Sequence, residues 1–162
     1  MKKNQNIFGK KRQFCTFKLG ERLFGVDILD VKEINPDVAF TPIHHASPEV
    51  KGYVNIRGQI HLILDLRLML GHAPSEINEK SRLVLFKPQV GNAFGVIVDR
   101  IGDVLEVDES MIEDRRRKEE GAPDGIERRS LALGVGVCKL EQGLLVILNS
   151  RHLLKHLMNE NK

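Results

Sequence analysis

The chain has 162 residues, a length typical of one domain. Hydrophobic residues make up 41% of it and charged residues 29%, which are ordinary globular values and exclude wholesale disorder. Aromatic residues reach only 5%, with no Trp, so a surface that stacks bases or sugars on aromatic rings is not favoured.

The positive charge of the chain is concentrated at its N-terminus. The net charge is +3, and five basic residues lie within the first twelve, so the remaining chain has a net charge of −2. These basic residues are Lys2, Lys3, Lys10, Lys11 and Arg12. We interpret residues 1–12 as a flexible tail that aids solubility, the alternative being an arm for nucleic acid or a membrane surface.

The two cysteines and the apolar runs bear on the compartment. Cys15 and Cys138 each lie within an apolar run and far apart in sequence, so buried free thiols are expected rather than a disulfide. The N-terminus has no apolar core of a secretory signal. The longest strictly apolar run, Leu131–Cys138, is much shorter than the ~20 residues needed to span a bilayer. We expect a soluble, cytoplasmic protein without membrane insertion.

Short segments rich in Val, Ile and Leu, separated by turn residues, predict a mainly β fold. In chain order the predicted strands are Gln13–Leu19, Leu23–Val26, Tyr53–Ile56, Gln59–Leu64, Arg82–Lys87, Ala93–Val98, Ile101–Val107, Leu131–Lys139 and Leu144–Leu148. Turn residues such as Arg57-Gly58 and Val90-Gly91-Asn92 predict that several of these strands form hairpins.

Three short helices are also predicted, each after a residue that can cap its first turn. The capping residues are Asp27, Asp65 and Asn149. The predicted apolar faces are Ile28, Val31 and Ile34 in the first helix and Leu153, Leu154 and Leu157 in the last, which covers about 150–158. Asn35-Pro36 is expected to end the first helix and Gly71 the second.

Two short motifs occur twice. Phe24-Gly25-Val26 is repeated as Phe94-Gly95-Val96, and Leu64-Asp65-Leu66-Arg67 has a counterpart in Leu148-Asn149-Ser150-Arg151. Each member of the second pair closes a predicted strand and opens a helix. The alternative is a chance similarity of short apolar words. We favour an imperfect two-fold repeat that forms two small barrels, approximately 13–75 and 80–150, within one domain at 13–157.

Two further segments carry local predictions. Glu113–Ser130 is almost free of apolar residues, and the charges of its Arg115–Lys118 run are cancelled by flanking acidic residues. This segment is therefore predicted to be a long charged loop, at 113–130, rather than a phosphate site. Gly134-Val135-Gly136 lies within a predicted strand and indicates tight backbone packing or a bulge.

The sequence offers little for catalysis. It contains no phosphate-binding glycine loop, dinucleotide fingerprint, CxxC or HExxH motif. His152 and His156 have helical spacing but no nearby third ligand, and His44 and His45 are expected at the surface. No serine lies in a nucleophile-elbow motif. We therefore expect no enzyme activity, no metal and no cofactor.

One hairpin carries polar residues in unusual places. Asn55 and Arg57 interrupt an otherwise aliphatic segment at the predicted turn, and Glu33 lies upstream on the first predicted helix. Arg57 could form a structural ion pair with Glu33, or it could be an interface anchor at the tip of the hairpin.

Four segments carry a family resemblance: Phe24–Ile34, Lys51–Ile60 followed by Leu64–Arg67, Gly95–Asp99 with Val104-Leu105, and Leu133–Gly136 through Leu144–Asn149. Together they resemble the CheW-like adaptor family of bacterial chemotaxis. Their order and spacing make the resemblance specific, and it extends from about Gln13 to Leu154.

The resemblance implies two intertwined five-stranded SH3-like β-barrel subdomains with short helices and a C-terminal helix. It implies a non-catalytic adaptor that couples methyl-accepting chemoreceptor cytoplasmic tips to the regulatory domain of a CheA-type histidine kinase, at membrane-associated arrays. Receptor-binding positions, matched by motif, are Val31, Glu33, Gly52, Arg57, Val96 and Val98. The last two would lie on the second barrel's side of a groove between the barrels.

Three features depart from the family pattern: His44-His45, the charged 113–130 loop and the basic tail. They bear on the identity of the partner rather than on the fold. The alternative function is a small β-barrel nucleic-acid-binding module that uses the basic tail, although the acidic body and the low aromatic content disfavour it.

Overall fold

The computed structural model describes residues 10–114 and 133–160. The strands are β1 (Lys11–Leu19), β2 (Arg22–Asp27), β3 (Val31–Asn35), β4 (Val50–Ile56), β5 (Gln59–Asp65), β6 (Arg82–Phe86), β7 (Phe94–Val98), β8 (Arg100–Asp108), β9 (Ile112–Glu113), β10 (Gly134–Leu140) and β11 (Gly143–Leu148). The helices are α1 (Leu66–Met69) and α2 (Ser150–Glu160), and short 3₁₀ turns cover Ile28–Asp30 and Glu109–Met111. The mainly β fold predicted from the sequence is confirmed.

The strands form two sheets with the same internal order. The first sheet runs β8-β1-β2-β11-β10-β9 and the second runs β3-β6-β7-β5-β4. In both sheets the third and fourth strands are parallel, whereas the pairs formed by the other equivalent strands are antiparallel. The first sheet adds only the two-residue strand β9 at one edge. The two-fold repeat expected from the sequence is therefore present in the topology.

The two repeats are intertwined because each divides its strands between the two sheets: β1 and β2 lie in the first sheet and β3–β5 in the second, whereas β6 and β7 lie in the second sheet and β8–β11 in the first. β3 follows β2 in the chain but pairs with β6 in the second sheet, and β8 follows β7 but pairs with β1 in the first. Each sheet is therefore built from both halves of the sequence. The approximate boundaries 13–75 and 80–150 stay a prediction.

Each sheet curls on itself. β8 and β9 are opposite edges of the first sheet, yet only the three-residue turn Glu109–Met111 separates them in the chain. In the second sheet, side chains link the opposite edge strands, because Arg57 at the tip of the β4–β5 hairpin bonds Glu33 on β3. The faces of each curled sheet are therefore distinct environments.

Three apolar clusters stabilise this arrangement. The largest cluster joins the sheets and includes Phe17 and Phe24 from the first and Phe86 and Phe94 from the second. A smaller cluster, with Phe14, packs on the other face of the first sheet. A third cluster occupies the other face of the second sheet and comprises Val54, Ile63, Leu83, Leu85 and Ile97, with Val38, Phe40 and Ile56 against it. Burial of these side chains is the main stabilising term.

The expected helix at Ile28–Ile34 is wrong. Asp27 does cap a turn, because its carboxylate accepts a hydrogen bond from the Leu29 N–H at 2.9 Å. Only Ile28–Asp30 is helical, however, and β3 begins at Val31, which pairs with Phe86. The β-branched Val31 and Ile34 suit a sheet, and the bonds to β6 outweigh the weak helical spacing.

The other two helix predictions are confirmed. Asp65 caps α1 through the Leu68 N–H at 3.2 Å, and Gly71 follows it with a positive φ of 82°. Asn149 caps α2 through the Arg151 N–H at 3.0 Å. The apolar face of α2 is buried as predicted: Leu153 is fully buried, Leu157 is 5% exposed and Leu154 packs against the main cluster.

The predicted N-terminal tail and the predicted 113–130 loop are both shorter where the structure describes them, because strands extend into them. β1 begins at Lys11, so the last two residues of the predicted tail belong to a sheet, and Arg12 bonds Asp27 at 2.9 Å. Residues 1–9, residues 115–130 of the predicted loop and residues 131–132 of a predicted strand lie outside the described residues. Glu113 is in β9 rather than in a loop.

The predicted bulge and the predicted buried thiols are confirmed. The register of β10 with β11 shifts between Gly134 and Gly136, and a Cβ on Gly136 would lie 2.4 Å from the Glu113 carbonyl oxygen. Cys15 and Cys138 are buried and free, and burial raises the pKa of both thiols.

Candidate partner-binding site at the β4–β5 hairpin

The β4–β5 hairpin ends in a two-residue turn that holds Arg57 in a strained conformation. Ile56 pairs with Gln59, and the intervening Arg57 and Gly58 both have positive φ values, 51° and 86°. This is the pattern of a type I′ turn, for which Asn-Gly is preferred because a Cβ atom crowds the backbone at positive φ and the short Asn side chain offsets this with a local hydrogen bond. The Asn55 side chain closes the turn by accepting the Gly58 N–H at 3.0 Å. An arginine at such a position points to a role for its side chain.

The Arg57 side chain forms a two-pronged ion pair with Glu33. Nη1 lies 2.6 Å from Glu33 Oε1 and Nη2 lies 3.2 Å from Oε2. Arg57 is 73% exposed, whereas Glu33 is 20% exposed. The hydrogen bond from Arg57 is the main cause that lowers the pKa of Glu33, and the same bond raises the pKa of Arg57. Glu33 therefore holds the guanidinium in one place while leaving it open to solvent.

A second polar contact joins β3 to the tip of the β4–β5 hairpin. The Lys32 ammonium donates to Gln59 Oε1 at 3.2 Å, and Asn35 Nδ2 donates to Glu33 Oε2 at 3.5 Å. The tip of the hairpin is thus fixed against β3 by more than one side chain. The ion pair expected from the sequence is present, although Glu33 lies on a strand and not on the predicted helix.

Gly52 has a structural reason to be glycine. Its φ is 150°, and a Cβ at this position would lie 2.1 Å from the Thr41 carbonyl oxygen. Thr41 belongs to the connection between β3 and β4, and it exchanges two backbone hydrogen bonds with Tyr53, at 2.8 and 2.9 Å. Gly52 therefore lets this connection pack on β4. It is buried, so it shapes the hairpin rather than presenting a side chain.

Two of the three valines matched by motif are buried in the core, and the third is partly buried. Val96 and Val98 on β7 are 0% and 1% exposed and belong to the main apolar cluster. Val31 is partly buried and packs against the same cluster. The structure thus brings Glu33 and Arg57 together and places Gly52 on the same hairpin. It leaves Val96 and Val98 without surface for a partner, in contrast to their expected place on a groove.

Three exposed apolar residues were not predicted from the sequence: Leu29 in the 3₁₀ turn before β3, and Tyr53 and Ile60 on the hairpin itself. Leu29, Tyr53 and Ile60 are 68%, 46% and 58% exposed. Ile60 immediately follows Gln59, and Leu29 lies three residues before Lys32. The sequence carries no signal for Ile60, because His61 beside it is only 1% exposed, with its Nδ1 3.1 Å from the Gln59 carbonyl oxygen. A buried histidine there reverses the usual alternation and leaves Ile60 outside.

The described residues hold no metal-ligand cluster and no membrane-spanning helix beside this site. No group of three or more possible metal ligands occurs in residues 10–114 and 133–160. Within the same residues, no helix is long and apolar enough to cross a membrane. His44 and His45 are exposed, as expected.

The fold and this site define a class of protein: a domain of two intertwined, curled β-sheets that presents an ion-paired arginine on a hairpin tip. The family model of the CheW-like domain matches residues 13–158. The chain therefore belongs to the CheW-like domain family.

Individual relatives show how far the similarity reaches. A probable chemotaxis protein CheW of Rhizobium etli is 31% identical over 103 residues, which are 63% of this chain and 65% of that protein. The chain thus spans slightly less than two thirds of that relative's length. The chemotaxis protein CheW of Bacillus subtilis is 27% identical over 142 residues, 88% of this chain and 86% of the relative.

A solved structure has the same fold. The crystal structure of the scaffolding protein TtCheW from Thermoanaerobacter tengcongensis matches with a TM-score of 0.73 and 27% identity. The match covers 86% of this chain and 90% of that one. Two sheets of strands with few helices are therefore a shared architecture.

Proposed function

We propose that this chain is a non-catalytic adaptor that couples methyl-accepting chemoreceptors to a CheA-type histidine kinase, in the cytoplasm at membrane-associated arrays. Membership of the CheW-like family supports this role. The observation that carries it is Arg57, an exposed arginine in a strained turn whose guanidinium Glu33 holds in place. Its backbone conformation lowers the stability of the fold by more than Asn or Gly would at the same position.

The chemistry of this surface suits a helical partner. Exposed Leu29 and Ile60 flank the linked pair Lys32–Gln59 in sequence, and Arg57 adds a fixed positive charge. An amphipathic helix with apolar residues and a carboxylate on one face, as at a helical receptor tip, would complement it. Arg57 and Glu33 are the proposed contacts. The hairpin and the core beneath it are shaped by the other matched residues, which are Gly52, Val31, Val96 and Val98.

The mechanism is one of placement. An adaptor that contacts both proteins raises the local concentration of the kinase near the receptor and performs no reaction itself. Signalling interfaces of this kind are commonly small, near or below ~1,200 Å² in total, so retention in an array depends on several weak contacts.

The direct test measures binding of the full chain to a soluble helical receptor fragment. Arg57→Glu should weaken binding at least about tenfold, the loss expected when a hot-spot arginine is replaced. Its melting temperature should fall by no more than a few degrees, because the side chain is largely exposed. Arg100→Glu, the same charge change at an exposed position on β8, is the matched control and should bind normally.

Two results would count against the proposal. Unchanged receptor binding by Arg57→Glu would remove Arg57 from the interface. Failure of the wild-type chain to bring a CheA-type kinase regulatory domain into the receptor complex would remove the coupling role. If Arg57→Glu unfolds, Arg57→Asn, which the turn prefers, keeps the test open because it removes only the guanidinium.

A further inference from the structure

His72 lies at the joint between the two sheets. It follows α1, which begins directly after β5 of the second sheet, and its N–H donates to the Arg67 carbonyl oxygen at 2.8 Å. Its imidazole meets the ring of Phe24 edge-on, with the ring centroids 6.0 Å apart. Phe24 is fully buried on β2 of the first sheet. One side chain therefore connects the chain after α1 with the other sheet.

The inner nitrogen of this ring is suited only to a neutral imidazole. Nε2 is buried and has no hydrogen-bond partner among the described residues. A neutral ring leaves at most one unmatched donor or acceptor there. A protonated ring carries hydrogen on both nitrogens, so acid would place an unpaired N–H and part of a positive charge at the buried atom.

The charged groups around His72 also oppose its protonation. Arg67 of α1, Arg22 of β2 and Asp99 after β7 are the charges that face it. Asp99 is already engaged, because it pairs with Arg67 and accepts the Gly20 N–H at 2.7 Å. Burial is the first cause that lowers the pKa of His72, the two guanidiniums follow, and Asp99 opposes them.

We propose that His72 is an acid-sensitive latch: the neutral ring holds the chain after α1 against β2, and protonation releases it. The released state takes up the proton more readily than the latched state. The latch is therefore closed above the ordinary histidine pKa. The fraction of molecules in the released state rises as the pH falls below that pKa. The population can rise by up to about tenfold per pH unit, the limit set by one proton.

The test compares full-length wild type with His72→Gln by hydrogen–deuterium exchange between about pH 7.5 and about pH 5, the range in which histidine titrates, after correction for intrinsic exchange rates. Peptides within 66–81 should become less protected in acid in the wild type, and this dependence should be lost in the variant. Peptides within 134–148 of β10 and β11 serve as the internal control and should respond equally in both proteins. No partner is needed, so the outcome is independent of the adaptor role.

The same dependence on pH in wild type and His72→Gln would overturn the latch. If that variant fails to fold, Arg22→Gln provides a second test, since it keeps His72 and removes one of the facing cations from an exposed position. The acid-induced loss of protection in 66–81 should then be smaller than in the wild type. An unchanged or larger loss would overturn the proposal.

Discussion

At the scale of single residues, Arg57 has an unfavourable backbone conformation, and its side-chain ion pair contributes too little stability to offset it. The positive φ of 51° is one that few residues other than glycine and asparagine adopt easily. The ion pair with Glu33 is largely exposed and adds little to stability. Stability alone therefore does not explain arginine at this position, which is why its guanidinium is the centre of the proposed interface.

The state of the Glu33 carboxyl provides a direct measure of the pair. The Arg57 hydrogen bond lowers its pKa in the folded chain, so Arg57→Gln should raise that pKa toward the ordinary glutamate value. Since the folded-state pKa is depressed, the pair stabilises the fold above the unfolded-state pKa, and this contribution is lost as the pH falls through the folded-state pKa. A carbon-13 titration of the Glu33 carboxyl measures the shift.

Lys32→Gln is the matched control for this titration. Lys32 is the last of the causes that lower the Glu33 pKa, so its removal should change the titration much less than removal of Arg57. Equal shifts in the two variants would show that general positive charge, rather than the two-pronged bond, sets the state of Glu33.

The sequence predicted some of these residues well and others poorly, for physical reasons. The Arg57–Glu33 pair was predictable because a charged residue in an aliphatic hairpin needs a partner of opposite sign. The burial of Val96 and Val98 was not, since a strand that is apolar on both faces has no alternation to show which side meets solvent. Exposed Ile60 was hidden by the same ambiguity, and the three-dimensional position of His61 settled it.

At the scale of elements, the β4–β5 hairpin depends on the connection that precedes it. The loop 36–49 covers the third apolar cluster with Val38 and Phe40 and is tied to β4 by the Thr41–Tyr53 bridge. This bridge is possible only because residue 52 has no side chain. The shape of the proposed interface thus extends beyond the residues that would touch a partner.

Gly52→Ala tests this dependence. Its Cβ would meet the Thr41 backbone at 2.1 Å, so the loop must move or detach, and we expect a loss of about 2–4 kcal/mol in the free energy of unfolding. Gly58→Ala is the matched control, because it has a positive φ but open space around the added atom, and its cost should be nearer 1 kcal/mol. Urea unfolding measures both variants. Equal losses would show that only backbone strain matters at Gly52.

The elements that the sequence predicted best are those with two agreeing signals. The helices after Asp65 and Asn149 each have a capping residue and each begin where a predicted strand ends, and both are present in the structure. At Asp27 the cap was also correct, but the three apolar residues after it fit a helix and a strand almost equally well. Pairing of β3 with β6, whose partner residues are 48 to 55 positions apart in the sequence, decided the outcome, and no local pattern could reveal it.

At the scale of the whole molecule, the repeated halves are joined by equivalent contacts. The N–H of Asp99, after β7, donates to the Lys18 carbonyl oxygen at 3.2 Å, and the N–H of Lys87, after β6, donates to the Asp30 carbonyl oxygen at 2.9 Å. Lys18 lies near the end of β1, and Asp99 lies in the crossover from β7 to β8. Lys87 follows β6, and Asp30 lies in the crossover from β2 to β3. Each bond therefore connects a strand end in one sheet with a crossover between the sheets. The crossovers from β2 to β3 and from β7 to β8 make the two sheets interdependent, so we expect them to unfold together.

Two equivalent arginines strengthen this connection, one at the start of each helix. Arg67 of α1 pairs with Asp99 and donates to the Ala73 carbonyl oxygen at 2.8 Å. Arg151 of α2 lies 3.9 Å from an Asp30 carboxylate oxygen and donates to the Gln89 carbonyl oxygen at 2.7 Å. The side chain of Arg67 is 17% exposed and that of Arg151 is 53% exposed. The two equivalent ion pairs therefore differ in strength, since the better-buried Arg67 makes the closer pair.

Arg67→Ala should therefore destabilise the chain by about 2–3 kcal/mol, because it leaves the partly buried Asp99 without its counter-charge. Arg151→Ala is the matched control and should cost roughly 0–1 kcal/mol, as expected for a more exposed and longer pair. Urea unfolding followed by circular dichroism measures both values. If the sheets are interdependent, Arg67→Ala shifts one cooperative transition to lower urea with an unchanged slope. A second transition would show that the two sheets unfold separately. An equal effect of the two variants would show that the partial burial of Arg67 and Asp99 adds nothing to the strength of their ion pair.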